Sequence, residues 1–379
     1  MSARSFSPRT VVVGGGIFGV STALHLARSG AEVTLVTEAE PGSGASGRSL
    51  SWLNSSRTRS AEYHALRMAG IDRYRTLAAR HPDADWLRFD GGLTWDADDA
   101  GNGIAEAYAY ERRIAYDARL LQPEAVAAVT PGVDRRAITS PGAIFNPGEG
   151  WVDLPSLIDL LSREYLALGG RLATGVGPCR VDVAGGRATG VTTQGGERFP
   201  ADVVLLATGP AVPAMVAELG THIPDATPIS LLVQTEPISH PLRAVLNTPR
   251  VAIRRTPTGA LVLDSAWSEE EVSMRPDGSY EVRDSTVAGL LREASAVLEG
   301  SPRLLLASCG VGPKPIPRDG EPVFGPLDGV PGCYVAFSHS GATLGLIAGE
   351  LLAEEMTSRA LHPMLARFRP GRFASAPHG

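Results

Sequence analysis

The stretch that decides the fold is Thr10-Val11-Val12-Val13-Gly14-Gly15-Gly16-Ile17-Phe18-Gly19, followed by Val20-Ser21-Thr22-Ala23-Leu24-His25-Leu26-Ala27. The first four residues predict a buried strand, and the last eight predict a helix. Between them, Gly14, Gly16 and Gly19 hold the first, third and sixth positions of a glycine fingerprint. Gly14 suits a tight turn, Gly16 lets the backbone approach a pyrophosphate, and Gly19 lets helix and strand pack closely. The helix start offers unpaired N–H groups and a positive dipole end to phosphate. A second apolar run, Ala31-Glu32-Val33-Thr34-Leu35-Val36-Thr37, ends at Glu38, 24 positions after Gly14. That spacing suits a carboxylate that binds ribose hydroxyls. Glycine patterns alone are weak signals in a chain with 43 glycines. The strand before, the helix after and the acid at the end of the second strand make this one strong. Ile17 and Phe18 fall inside the same turn.

The next segment, Pro41-Gly42-Ser43-Gly44-Ala45-Ser46-Gly47-Arg48-Ser49-Leu50-Ser51-Trp52-Leu53-Asn54, is rich in glycine and serine. Its amides and hydroxyls suit further phosphate and ring contacts. Residues 61–80 carry Leu66, Ile71, Tyr74 and Leu77 at helical spacing. Residues 85–149 read as mixed, with short strands at 86–89 and 92–95 and a helix near 104–118. Asp153 and Pro155 mark a helix start that runs to about Leu168. The run Val203-Val204-Leu205-Leu206-Ala207-Thr208-Gly209-Pro210 is a buried strand entering a small-residue turn. Between 225 and 304, strand-like runs at 230–235, 251–255 and 260–264 precede a helix near 285–299, predicting an antiparallel sheet covered by helices. A strand at 332–337 and a helix at 343–357 return to the opening style. The last dozen residues read as a loose tail.

With 379 residues, 43% of them hydrophobic, the chain can bury two domains. Net charge is −6 with no basic stripe, which argues against nucleic acid as a partner. Cys179, Cys309 and Cys333 are too scattered for a metal site or a disulfide framework and suggest a reducing compartment. The polar start Met1-Ser2-Ala3-Arg4-Ser5-Phe6 leaves no room for a signal peptide, and no apolar run is long enough for a membrane span. The expectation is a cytoplasmic protein with no membrane partner. The only lysine among 35 basic residues is Lys314.

Four separated pieces carry a resemblance: residues 14–38, residues 44–54, the strand 203–210 and a C-terminal block. That block reads Gly312-Pro313-Lys314-Pro315-Ile316-Pro317-Arg318-Asp319-Gly320-Glu321-Pro322-Val323-Phe324-Gly325, with Ser338-His339-Ser340-Gly341-Ala342-Thr343-Leu344 further on. Together they resemble the D-amino-acid oxidase superfamily of FAD-dependent oxidoreductases, which includes glycine oxidase, sarcosine oxidase and D-amino-acid dehydrogenases.

The resemblance implies an α/β fold, with a Rossmann-like FAD-binding domain and an interleaved α+β substrate domain built on an antiparallel sheet. The FAD-binding parts would be 1–60, 150–220 and 305–379 with the tail, and the substrate parts 61–149 and 221–304. It implies non-covalent FAD, the AMP half on Gly14–Glu38 and the isoalloxazine near Ser49, Trp52, His339, Gly341 and Thr343. Implied cofactor residues are Gly14, Gly16, Ile17, Phe18, Gly19, Glu38, Ser46, Arg48, Ser49, Val181, Thr208, Gly209, Gly341, Ala342, Thr343 and Leu344. The helix start after Ser340 would sit at the flavin's pyrimidine edge, where its dipole favours the charge that reduction places at N1 and O2. His339 is either a catalytic imidazole or a structural one. Covalent attachment in sarcosine-oxidase relatives uses a cysteine close to the Lys314 position; here Cys309 is the nearest.

The implied chemistry is hydride transfer from substrate Cα–H to flavin N5, which needs orientation and electrostatics more than a dedicated acid or base. The imine then hydrolyses and O2 becomes H2O2. The chain departs from the pattern at Lys314. Amino-acid-oxidising members carry an arginine there to clamp the substrate carboxylate, whereas lysine offers a single point charge. Lys314 is thus a substrate anchor, a cation that assists O2 reduction, or a structural ion-pair partner. Arg254 and Arg255, alternating at the end of a strand, are alternative carboxylate clamps, and Trp52 is a further substrate-binding candidate. His25 and His64 read as structural.

The leading expectation is an oxidase of the C–N bond of a glycine-like or N-substituted amino acid, its partners a small amine or amino acid and O2. Alternatives are a D-amino-acid or secondary-amine dehydrogenase that uses a quinone or carrier protein, and a flavin-binding protein without catalysis. An NAD-dependent dehydrogenase is disfavoured because no second fingerprint appears. The oligomeric state stays open.

Overall fold

The computed structural model describes residues 8–374. The polar start read above and the residues from 375 onward lie outside the described residues. The chain divides into two compact units, each assembled from separated segments. The first comprises 1–47, 154–228 and 313–379, and the second 48–153 and 229–312. The sequence reading placed these changes near 60, 149, 220 and 304.

The first unit is built on a six-stranded sheet in the order Val323–Pro326, Cys333–Phe337, Val203–Leu206, Thr10–Val13, Val33–Val36, Arg171–Ala173. Neighbours run parallel except the outermost pair, Val323–Pro326 with Cys333–Phe337. Both central strands are buried along their full length, matching the continuous apolar runs expected of a parallel sheet covered on both faces. The helices Ile17–Arg28 and Gly341–Ser358 pack side by side. A Cβ on Gly345 would lie 2.3 Å from Ile17 Cγ1, and one on Gly349 2.2 Å from Ser21 Oγ. Glycine here sets the interhelix distance. A three-stranded antiparallel sheet, Cys179–Ala184, Arg187–Thr193 and Arg198–Pro200, completes the unit.

The second unit centres on an eight-stranded sheet in the order Leu306–Pro313, Ile229–Thr235, Leu261–Asp264, Ala252–Arg255, Val245–Asn247, Gly92–Thr94, Ala143–Asn146, Arg119–Leu121. Val245–Asn247 and Gly92–Thr94 run parallel, because that pair joins distant segments and not the two arms of a hairpin. One face carries Leu93, Phe145, Leu231, Val233, Leu246, Ile253, Leu261 and Leu263, packed with Leu290 and Ala294 of the helix Asp284–Val297. The period of two then puts Arg254, paired with Val262, on the opposite face.

Two expectations need correction. The helix expected over 104–118 ends at Arg113. Ala115 turns left-handed (φ 57°) and Tyr116 N–H bonds back to Glu111 O at 2.9 Å, so Tyr116 points inward and is buried. The tail is also more ordered than its composition implied. Pro363–Phe368 and Pro370–Phe373 form short 3₁₀ helices, Phe368 is buried, and Arg369 makes a two-pronged ion pair with buried Glu355.

Candidate active site

In the first unit the glycine turn behaves as its spacing predicted, for reasons that differ by position. Gly14 has φ +113°, and a Cβ there would lie 2.4 Å from Ala207 O. A Cβ on Gly19 would lie 1.9 Å from Gly14 O, and one on Gly15 2.7 Å from Thr37 Oγ1. These three glycines are demanded by the protein's own packing. Gly16 is different: its Cβ would meet only the Ser46 hydroxyl, at 3.3 Å. Only a side-chain hydroxyl stands beside this helix start, whose first backbone N–H groups are of the kind that bind phosphate. Ser46 itself arrives from the glycine-serine loop and accepts from Ile17 N at 3.1 Å. Ile17 and Phe18 are both buried, Phe18 stacking edge-on against Phe324 at 5.3 Å, so they offer only backbone to a ligand.

Gly341, at the start of the second helix, repeats the Gly16 condition. Its Cβ would meet Ile17 Cγ2 at 3.4 Å and Phe18 Cε2 at 3.8 Å, ordinary contact distances. The first turns of the two helices therefore lie side by side and present two positive dipole ends. Ala342, Thr343 and Leu344 are buried, whereas His339 is exposed on the turn between strand and helix. Glu38 is exposed at the end of Val33–Val36, and its backbone carbonyl accepts from Gly177 N at 3.3 Å. Thr208 and Gly209 (φ +58°) form the turn after Val203–Leu206. Val181 is half-buried on the antiparallel sheet, opposite Val191. Lys314 is half-buried, and its N–H donates to Pro228 O at 3.0 Å.

In the second unit, Arg48 lies along the strand Leu306–Pro313. Its side chain covers Gly310 and Gly312, whose added Cβ atoms would come within 2.9 Å of Cγ and 2.6 Å of Nη2. Ser49 and Ser51 close a tight local turn, with Ser51 at φ 58° and its N–H donating to Ser49 Oγ at 3.0 Å. A left-handed serine costs energy, and this one directly precedes Trp52. Trp52 pairs with Trp151 in a small sheet of Trp52–Leu53, Gly150–Val152 and Leu87–Arg88. Arg254 is buried, with its guanidinium over the Trp151 ring at 5.1 Å and 3.6 Å from Asp153 Oδ1. Burial, opposed by the Asp153 carboxylate, lowers its pKa to about 10. Arg255 points elsewhere and donates to His240 O at 2.7 Å. His64 hydrogen-bonds Ser55 Oγ through Nδ1 at 2.8 Å.

One group escaped the sequence reading altogether. Glu149 is fully buried, and Tyr116 Oη donates to its Oε1 at 2.6 Å. Burial pushes its pKa up to about 8, against the lowering effect of the Tyr116 hydroxyl; the Glu111 carboxylate raises it further, while Arg67 and the Trp52 indole N–H lower it. Its partners lie far apart in the chain, so no local spacing could have signalled the cluster.

Comparisons with known proteins agree with this geometry. The FAD dependent oxidoreductase family, DAO, matches residues 9–355, and the chain belongs to it. A D-amino acid dehydrogenase of Methylobacterium sp. (strain 4-46) is 27% identical over 422 residues, covering 94% of this chain and 97% of that protein. A glycine oxidase of Pseudomonas aeruginosa is 28% identical over 376 residues, covering 93% and 96%. The crystal structure of glycine oxidase from Geobacillus kaustophilus superimposes with a TM-score of 0.80 at 20% identity, over 98% of this chain and 100% of that one. The cofactor of the family is FAD, and the paired helix starts at Gly16 and Gly341 fit it.

Proposed function

We propose that the protein is an oxidase acting on the C–N bond of a glycine-like or N-substituted amino acid, with O2 as electron acceptor. The observation that supports this reading is the pair of helix starts whose glycines, Gly16 and Gly341, face side-chain atoms only, Ser46 Oγ at 3.3 Å and Ile17 Cγ2 at 3.4 Å, and not backbone. The first cradles pyrophosphate, with Ser46 fixing the turn and Glu38 holding ribose hydroxyls. The second directs its dipole at the end of the cofactor that gains negative charge. When bound, FAD supplies the two-electron acceptor for hydride from the substrate Cα–H, and the resulting imine hydrolyses in water.

Lys314 places one ammonium charge for the substrate carboxylate. Without arginine's planar fork, a free α-amino acid gains less from it, which favours substrates whose N-substituent adds contact area. Trp52 supplies an aromatic wall. Arg254 stands as a buried cation already engaged by Asp153 and Trp151, and Arg255 is held by His240 O.

FAD is held without a covalent bond in this reading. Cys333 is buried in the first unit's sheet and its thiol is pushed up to about 12 by burial. Cys309 alternates with Gly310 onto the opposite face of its strand. Acid precipitation is expected to release all flavin into the supernatant; yellow protein in the pellet would overturn this.

A dehydrogenase reading is favoured by the D-amino acid dehydrogenases among the relatives. Oxygen uptake and dye reduction, measured with the same amine, separate the two. The proposal expects oxygen uptake to match substrate consumption one for one, and dye reduction without oxygen uptake would transfer the assignment to the dehydrogenase.

A further inference from the structure

Glu149 and Trp52 share a slot in the second unit that exists because residue 92 is glycine. A Cβ at Gly92 would lie 2.3 Å from Glu149 Oε2, 3.0 Å from Trp52 Nε1 and 3.1 Å from Trp52 Cζ2. Glu149 is held at two points: Gly91 N–H donates to its backbone carbonyl at 3.0 Å, and Tyr116 Oη donates to its Oε1 at 2.6 Å. Tyr116 is itself fixed by Ser55 N–H, which donates to its oxygen at 3.0 Å. We propose that Glu149 is a positioning residue that sets the angle of the Trp52 indole in the slot at Gly92. This rests on the reading of Trp52 as a substrate-facing wall.

Burial raises the pKa of this carboxyl, and the charges around it act in both directions. Glu111 faces the cluster from the helix Ile104–Arg113, and its carboxylate accepts from Asn146 Nδ2 and Arg57 N, both at 2.8 Å. Arg67, on the helix Ala61–Arg80, is turned toward Asn54, to whose carbonyl and side-chain oxygen it donates at 2.8 Å. Arg59 lies nearby, lowered to about 10 chiefly by burial and then by Arg67. Tyr116 is raised by burial and by Glu149 itself. Burial is the largest influence on Glu149 and raises its pKa to about 8 against the lowering pull of Arg67. Loss of its proton near pH 8 would place a bare charge against the indole and turn it.

The test is a pH titration of tryptophan fluorescence in the FAD-loaded wild type, Glu149→Gln and Trp52→Phe. The expected result is a transition near pH 8 in the wild type that is absent from both variants. A transition that persists in Glu149→Gln or in Trp52→Phe would overturn the proposal, as would its absence from the wild type.

Should Glu149→Gln fail to fold, Trp52→Phe and the wild type still decide the matter. A second readout is KM for a reactive amine across the same pH range. Wild-type KM is expected to rise at least about threefold above pH 8 while kcat changes less, and Glu149→Gln to remove the rise. A fluorescence transition that behaves as expected in a protein that no amine reduces would defeat the functional reading alone. Amine oxidation with an unchanged transition in the variants would defeat this inference alone.

Discussion

Gly16 and Gly19 sit three residues apart in one turn, yet their substitution should fail in different ways. A Cβ on Gly19 lands 1.9 Å from a backbone oxygen, whereas one on Gly16 meets only a serine hydroxyl. Gly19→Ala is therefore expected to lower the thermal midpoint of the apoprotein by several degrees, within the range of about 1–3 kcal/mol for overpacking. Gly16→Val is expected to keep the apoprotein midpoint and weaken FAD binding more than about tenfold, about 1.4 kcal/mol. Melting curves and flavin-fluorescence titration read the two effects separately. At Lys314, replacement by Met removes a charged hydrogen-bond donor of about 1.5–3 kcal/mol. KM for a carboxylate-bearing amine should rise about tenfold to a hundredfold while flavin reoxidation by O2 stays unchanged. Slower reoxidation with unchanged KM would make Lys314 the oxygen-assisting cation.

At the scale of elements, local signals were legible and distant ones were not. The strand–glycine–helix unit is written in consecutive residues, so its period, turn and acid could be read directly from 10–38. The same holds for the buried strand Val203–Leu206 and the helix Gly341–Ser358. The Glu149 cluster draws on residues 52, 92, 111, 116 and 149, which only the folded sheet brings together, and an early helix stop at Ala115 was needed to deliver Tyr116. The C-terminal segment misled for a related reason. Its Pro, Arg and Gly composition resembles a tail, but Arg369 reaches back to the buried Glu355 on the last long helix, and Arg372 pairs with Asp319 at 2.9 Å. Breaking a buried pair strands its partner's charge at a cost of about 3–5 kcal/mol. Arg369→Leu should lower unfolding free energy by that amount in urea titration; a loss below about 1 kcal/mol would mean that the segment contributes little.

At the scale of the molecule, the chain alternates between two units, leaving and returning to each so that the first collects three segments and the second two. Among the described residues, no helix is long and apolar enough to cross a membrane. The first unit carries the glycine fingerprint and the second carries the buried polar cluster of Glu149, Tyr116 and Trp52. Family membership fixes the cofactor, while substrate and electron acceptor are the parts that need measurement. The most direct test is anaerobic titration of the purified yellow protein with glycine, sarcosine, larger N-alkylglycines and D-amino acids, followed by visible absorbance. The account predicts that at least one glycine-like or N-substituted amino acid bleaches the flavin and that air restores the colour. If dithionite bleaches the flavin but no amine does, the account is contradicted.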